Sequence, residues 1–301
     1  MDKKSSLFIR LLEFVKFSHT VFALPFAFAS GALAVSYFVG QNPFTGPWGF
    51  WSWLGVKFVG ILLCMVFART AAMGFNRVAD WSIDRKNPRT ERRHTLVTKK
   101  QGITLVLVSA VLFVASSGIL NVLCLILSPV ALGIVFFYSL TKRFTSYSHF
   151  FLGLALAVAP VGAWVAVTGD LFAWQPFILA LAVLFWVAGF DMIYATQDYD
   201  FDRKTGLNSL VVKWGIPKAL SISRWLHFIM WVFLLLFGLI SGLHMPYWIG
   251  LAVIAVLLVY QHARARKLDT RAINDAFLKA NGWISVIVFI TILWDVIVWR
   301  K

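Results

Sequence analysis

Nine apolar stretches, each long enough to cross a bilayer, run through this 301-residue chain and leave few folds open to it. They cover residues 19–39, 51–75, 103–119, 121–140, 148–168, 172–195, 220–241, 246–262 and 281–299. A helix rising about 1.5 Å per residue needs roughly 20 residues to cross about 30 Å of hydrocarbon, where backbone polar groups must find partners within the segment. The spans therefore predict an all-α, polytopic membrane bundle of nine transmembrane helices. Composition agrees, with 60% of residues apolar and 14% charged, far from a soluble domain.

A formal charge of +15 would suggest a nucleic-acid partner for a soluble protein, but its placement here points to a membrane instead. With the N-terminus inside, 22 of the 28 Lys and Arg fall on inner segments: the N-terminal stretch and 80–102, 141–147, 196–219 and 263–279. The opposite loops hold none. Cationic loops stay on the cytoplasmic side. The N-terminus and the long basic loops are thus expected in the cytoplasm, the C-terminus outside, and the chain in the inner (cytoplasmic) membrane with lipid, not nucleic acid, around it. Residues 1–18 set Lys3, Lys4, Arg10 and Lys16 among Leu7, Phe8, Leu11, Leu12 and Phe14, which suits an amphipathic helix lying on the membrane surface. No cleavable signal peptide is expected, because the first long apolar run starts late and lacks a small-residue cleavage pattern. Cys64 and Cys124 fall inside predicted helices with no metal or redox spacing and read as packing residues.

Residues 19–301 read as one membrane domain, since no linker or low-complexity tract divides them. Within it Asp80-Trp-Ser-Ile-Asp84-Arg85-Lys86 and Asp198-Tyr-Asp-Phe-Asp202-Arg203-Lys204 share the pattern D-x-x-x-D-R-K, each after the second helix of a four-helix set. Residues 19–140 and 148–262 are then parallel pseudo-repeats that put the two clusters in equivalent places on the cytoplasmic side. At about 100° per residue, Asn76, Asp80 and Asp84 fall within about 80° of one another on a helix. Asp191, Asp198 and Asp202 fall within about 40°, with Tyr194 about 60° to the side. Carboxylates at such spacing repel unless a cation joins them, and hard oxygen donors from Asp and Asn suit Mg²⁺ better than Zn²⁺. Mg²⁺ commonly bridges one or two carboxylates to substrate phosphates, leaving Arg and Lys to neutralise the other phosphate oxygens. Arg69 shares a helix face with Asn76, and Arg77, Lys142 and Arg143 are further candidates at the cytoplasmic end.

An isolated D-x-x-x-D reads most simply as acids pairing with bases at a headgroup surface. Two copies at corresponding helix ends, one preceded by Asn76, favour a metal and diphosphate site instead. Asn76-Arg-Val-Ala-Asp80-Trp-Ser-Ile-Asp84, followed by Asn87-Pro-Arg-Thr90, resembles the first signature of the UbiA superfamily of membrane prenyltransferases. Asp191-x-x-Tyr194-x-x-x-Asp198-x-x-x-Asp202 resembles its second. The match runs from Lys16-Phe-Ser-His19 to the last helix and includes Tyr138-x-x-x-Lys142-Arg143-x-Thr145. The resemblance implies a helical bundle around a central cavity, with Asn76, Asp80 and Asp84 on one Mg²⁺, Asp198 and Asp202 on another, and a polyprenyl diphosphate between them. It also implies transfer of the polyprenyl group to an aromatic hydroxy acid, the metals stabilising the leaving diphosphate while an electron-rich ring attacks C1. Asp191 lies two turns deeper than Asp198, where an ionisable group usually has a function. With Tyr194 it is expected to orient the acceptor or receive the ring proton.

Arg77 stands where many quinone-pathway members have Asp, and the Phe-Asn-Arg and Asn-Pro-Arg-Thr wording looks most like a subgroup acting on 4-hydroxybenzoate. The expected reaction is thus Mg²⁺-dependent polyprenyl transfer to 4-hydroxybenzoate in quinone biosynthesis, with a dihydroxynaphthoate-type acceptor of menaquinone biosynthesis as the alternative. A membrane transporter or lipid-binding protein is the alternative of another class, disfavoured because transporters place ionisable groups near the midplane on broken helices. His19 matches a family position but reads more simply as an interfacial hydrogen-bonding residue. His94, His149, His227, His244 and His262 have no ligand spacing and are assigned nothing.

Overall fold

The computed structural model describes residues 6–15, 22–41, 47–88, 90–91 and 95–300. Lys3, Lys4, Lys16, His19, Arg89 and His94, which the sequence reading uses, lie outside them. Among the described residues all regular structure is helical, and nine helices are long and apolar enough to cross a membrane. A short α1 (Leu7–Phe14) precedes the spans α2 (Leu24–Gln41) and α3 (Pro47–Ala79) and the one-turn α4 (Trp81–Asp84). Then come α5 (Lys99–Leu120), α6 (Val122–Thr141), α7 (Ser148–Thr168) and α8 (Trp174–Ala195). Two short helices, α9 (Tyr199–Thr205) and α10 (Leu210–Trp214), lead into α11 (Ile216–Ile240), α12 (Met245–Ala265) and α13 (Thr270–Trp299).

All nine predicted spans correspond to helices, and 148–168 matches α7 at both ends. The largest differences are α3, which outruns the predicted 51–75, and α13, which starts at Thr270 rather than 281. Hydropathy stops where polar side chains begin, whereas helical hydrogen bonding carries on through the headgroup layer. Caps set other ends. At α5, Thr98 Oγ1 accepts from the Gln101 amide at 3.2 Å while Gln101 Oε1 accepts from the Thr98 amide at 2.8 Å, a reciprocal capping box. At α6, Asn121 Oδ1 accepts from Cys124 N at 2.8 Å, and its amide donates to the Val165 and Ala166 carbonyls at the end of α7.

The core centres on α8, whose Trp186, Val183, Val187 and Ala188 are fully buried among α7, α11, α2 and α13. Trp186 packs its ring 5.0 Å from Phe26 and donates Nε1–H to Asn281 Oδ1 at 2.9 Å, tying α8 to α2 and α13. Gly153 lets α7 approach α8, since a Cβ there would run into the Leu184 carbonyl. Intramembrane charges have local uses: Lys57 Nζ donates to the Leu120 carbonyl at 2.8 Å and so caps α5. Asp295, fully buried, accepts from His244 N at 2.6 Å and Arg300 Nε at 3.1 Å and clamps the far end of α13 to the α11–α12 turn.

Helix α1 departs from a simple surface helix. Phe14 and Val15 are buried against Val97, with Met73, Trp81 and Leu96 around them, while Leu7, Phe8 and Ile9 are exposed. One face therefore packs on protein at the basic end of the bundle, the end carrying the 80–102 and 196–219 segments.

Candidate active site

Both acidic clusters sit at that basic end. Helix α3 gives way to α4 at Asp80, yet the i to i−4 ladder continues, with Asp80 N donating to Asn76 O at 2.9 Å and Asp84 N to Asp80 O at 2.7 Å. Asn76, Asp80 and Asp84 thus stay in line as one arm. After α8 the chain tightens into a 3₁₀ turn, Thr196–Asp198, before α9. Three residues at about 120° instead of about 100° turn Asp198 and Asp202 by roughly 60° relative to a continuous α-helix, which the sequence stripe assumed.

A cavity of about 780 Å³ runs from the clusters through the bundle between α3, α5, α6, α7 and α8. Arg69, Asn76, Arg77, Tyr138, Lys142, Asp191, Tyr194, Asp198 and Asp202 line its polar end. Leu120, Ala166 and Leu171 line the apolar end. Val130, Leu154, Phe177 and Leu181 border it and are also exposed, so a side opening faces the apolar surface between α6, α7 and α8. Asp80, Asp84 and Arg143 stand at the rim rather than in the lining. Arg143 lies 3.6 Å from Asp80 Oδ1 and donates to the Ala79 carbonyl at 2.7 Å, and buried Arg77 lies 3.8 Å from Asp84 Oδ2.

The two arms touch. Thr90 and Glu91 amides donate to Asn87 O, and Thr90 Oγ1 donates to Asp84 O at 3.1 Å, folding the loop after α4 into a compact turn. That turn presents Asn87 Nδ2 to Asp198 Oδ1 at 3.3 Å. From the other side Asn208 N donates to Lys142 O at 3.0 Å, fastening the loop beyond α9 to the end of α6.

Electrostatics at the rim are mixed. Burial holds the Asp80 carboxyl above its ordinary pKa range; Lys142 and Arg143 oppose the shift and Asp84 adds to it. For Lys142 burial acts against the ammonium, but Tyr138, Asp191, Asp202 and Asp80 outweigh it and hold its pKa above the usual lysine value. Lys142 is therefore a cation at the point where both arms and the cavity meet.

Three features escaped the sequence. His149, assigned nothing, is fully buried and places Nδ1 2.6 Å from Asp191 Oδ2, while its buried Nε2 has no hydrogen-bond partner among the described residues. A histidine in an otherwise apolar span was the available signal. Tyr138 enters the lining one turn before Lys142, and Asn87 joins the arms; both lay in family wording without a role. Among the described residues no three of His, Cys, Asp and Glu gather into a complete metal cage. Each arm instead carries two carboxylates, the first with Asn76 one helical turn before Asp80. Oxygen donors of this kind are ones that Mg²⁺ takes, with water and substrate oxygens completing its shell.

Fold and site together define a polytopic helical membrane protein in which an apolar cavity is headed by paired acids and bases. Residues 49–287 match the UbiA prenyltransferase family, and the chain belongs to that family of membrane prenyltransferases. It is 31% identical to a 4-hydroxybenzoate octaprenyltransferase of Methylobacillus flagellatus, over 82% of this chain and 85% of that one. Its identity to a protein of the same name from Vibrio atlanticus is 33%, over 74% and 79%. Among solved structures, a UbiA homolog from Aeropyrum pernix in the apo state superposes with a TM-score of 0.79 at 29% identity, covering 92% of this chain and 98% of that one. A UbiA homolog from Archaeoglobus fulgidus bound to DMAPP and Mg²⁺ shares the fold, with a TM-score of 0.69 at 21% identity over 97% and 100%.

Proposed function

We propose that the protein transfers a polyprenyl group from its diphosphate to the ring of 4-hydroxybenzoate in quinone biosynthesis, with Mg²⁺ held at the two acidic arms. The observation that carries this reading is the joining of the arms at the mouth of one long apolar cavity through Asn87 and Asp198. Asn76, Asp80 and Asp84 would hold one Mg²⁺, and Asp198 and Asp202 the other. Bound there, Mg²⁺ supplies Lewis-acid stabilisation of the departing diphosphate. Arg69, Arg77 and Lys142 bind its remaining oxygens, and Arg143 does so from the rim. The apolar cavity takes the prenyl chain and excludes water from the reacting carbon. Asp191, oriented by His149, accepts the ring proton, and Tyr194 positions the acceptor.

The names of the relatives favour 4-hydroxybenzoate as acceptor. The distribution of Lys and Arg supports an inner-membrane location with the arms on the cytoplasmic side. Mass spectrometry of products formed from competing 4-hydroxybenzoate and dihydroxynaphthoate, with one polyprenyl diphosphate, decides the acceptor. Prenylated 4-hydroxybenzoate in excess supports the reading, and a prenylated naphthoate product in excess replaces it with the menaquinone branch. Substrate entering sealed vesicles chemically unchanged, with no product, contradicts both.

A further inference from the structure

A second cavity, about 280 Å³, opens at the basic end of the bundle between the start of α11 and the end of α12. Arg224, His262 and Arg266 form its polar walls, with Leu220 on the apolar side. Both arginines are exposed, and among the described residues neither has a carboxylate partner. Two guanidinium groups on the wall of one cavity give it a positive potential that suits an anion.

His262 closes the back of the cavity. His227 Nε2 lies 3.2 Å from the Trp186 carbonyl, which can only accept, so His227 donates there and its Nδ1 accepts from His262 Nε2 at 2.9 Å. Nδ1 of His262 is the ring nitrogen of the pair outside this relay, and it can meet an occupant through a bridging water. Trp225 and Phe228, beside Arg224 on α11, are exposed and meet edge to face at 5.9 Å, a pairing suited to the headgroup layer. The cavity opens where the cytoplasmic-type basic ends of α11 and α12 meet this aromatic pair, a setting suited to the depth of lipid phosphates. Basic pockets between membrane helices at this depth suit anionic headgroups.

We propose that this cavity binds a phosphate group between Arg224 and Arg266, with His262 behind it, supplied by an anionic phospholipid headgroup or by free phosphate. The occupant braces α8 independently of the main cavity. Leu220 packs with Ile193, Ala265 and Ile273, and His227 holds Trp186 O, so both supports reach the helix that carries Asp191 and Tyr194.

The test uses the full-length protein in a neutral detergent. Native mass spectrometry reads retention of phosphatidylglycerol against phosphatidylcholine, and thermal shift reads inorganic phosphate against chloride at equal ionic strength. The expected result is binding by the wild type that falls about tenfold or more in R224Q/R266Q. It should persist in K99Q/K100Q, which removes equal charge from the start of α5. Loss of phosphatidylglycerol alone marks the lipid as the source, and loss of the phosphate response alone marks free phosphate. Binding of both probes by R224Q/R266Q at wild-type strength, or of neither by the wild type, overturns the proposal.

Discussion

Asn87 and Asp198, 111 positions apart in the chain, meet through an amide-to-carboxylate hydrogen bond of 3.3 Å. It ties the loop behind the first acidic arm to the first carboxylate of the second. Asn87→Ala should lower kcat/KM by about tenfold, roughly 1.4 kcal/mol, within the worth of a hydrogen bond to a charged group. Asn87→Asp should be worse, because it sets a second carboxylate against Asp198. Steady-state kinetics across a Mg²⁺ range check both, with a raised Mg²⁺ requirement expected in each.

His149→Ala removes the buried 2.6 Å partner of the half-buried Asp191. Turnover should fall by about 10²-fold, the scale of a mispositioned proton acceptor, while the Mg²⁺ requirement set at the rim stays unchanged. His149→Gln, which keeps an N–H donor, should recover part of the loss. Measuring kcat together with the apparent Mg²⁺ constant separates this from a general collapse of the site, which would move both.

The raised Asp80 pKa has a sign that can be read in solution. Burial makes the folded protein hold this proton more tightly than an ordinary aspartate does, so ionised Asp80 costs stability at neutral pH and the cost fades as pH falls through its pKa. A metal needs the ionised form, so protons should compete for the first arm at higher pH than at an unperturbed aspartate. Activity titrated with Mg²⁺ at a series of pH values should show the requirement beginning to rise while the pH is still above the ordinary carboxylate range. A constant requirement down to the ordinary carboxylate range contradicts this.

At the opposite end of the bundle, Asp295→Ala removes the shared partner of His244 and Arg300. His244 and Arg300 stay partly exposed, so the loss is that of hydrogen bonds to a charged group, about 1.5–3 kcal/mol. The thermal midpoint in detergent should fall markedly, and activity per folded molecule should hold, since no cavity-lining residue is touched.

The spans and the acidic stripes were legible because both are one-dimensional: hydropathy over about 20 residues and carboxylates at helical spacing. What the sequence hid depends on chain reversal. Nothing local links Asn87 to Asp198 or His149 to Asp191; the second pair exists only once α7 and α8 pack together, and the first only once the turns that follow α4 and α8 meet. The 3₁₀ turn at Thr196–Asp198 was hidden for a related reason, since it lies inside a run whose composition continues the helix. Arg143 was a candidate at the cytoplasmic end on position alone; that its side chain reaches Asp80 and the Ala79 carbonyl emerges only from the fold.

Product formation from polyprenyl diphosphate and a hydroxyaryl acid should be measured for the wild type, Asp80→Asn, Asp198→Asn and the double variant in lipid, with Mg²⁺ and after its removal by EDTA. The wild type should lose turnover with EDTA and regain it on adding Mg²⁺, each single variant should fall by about 10²-fold or more, and the double variant should form no product. Sustained product formation by the double variant, or by the wild type in EDTA, would contradict a reaction run through two metal-holding arms.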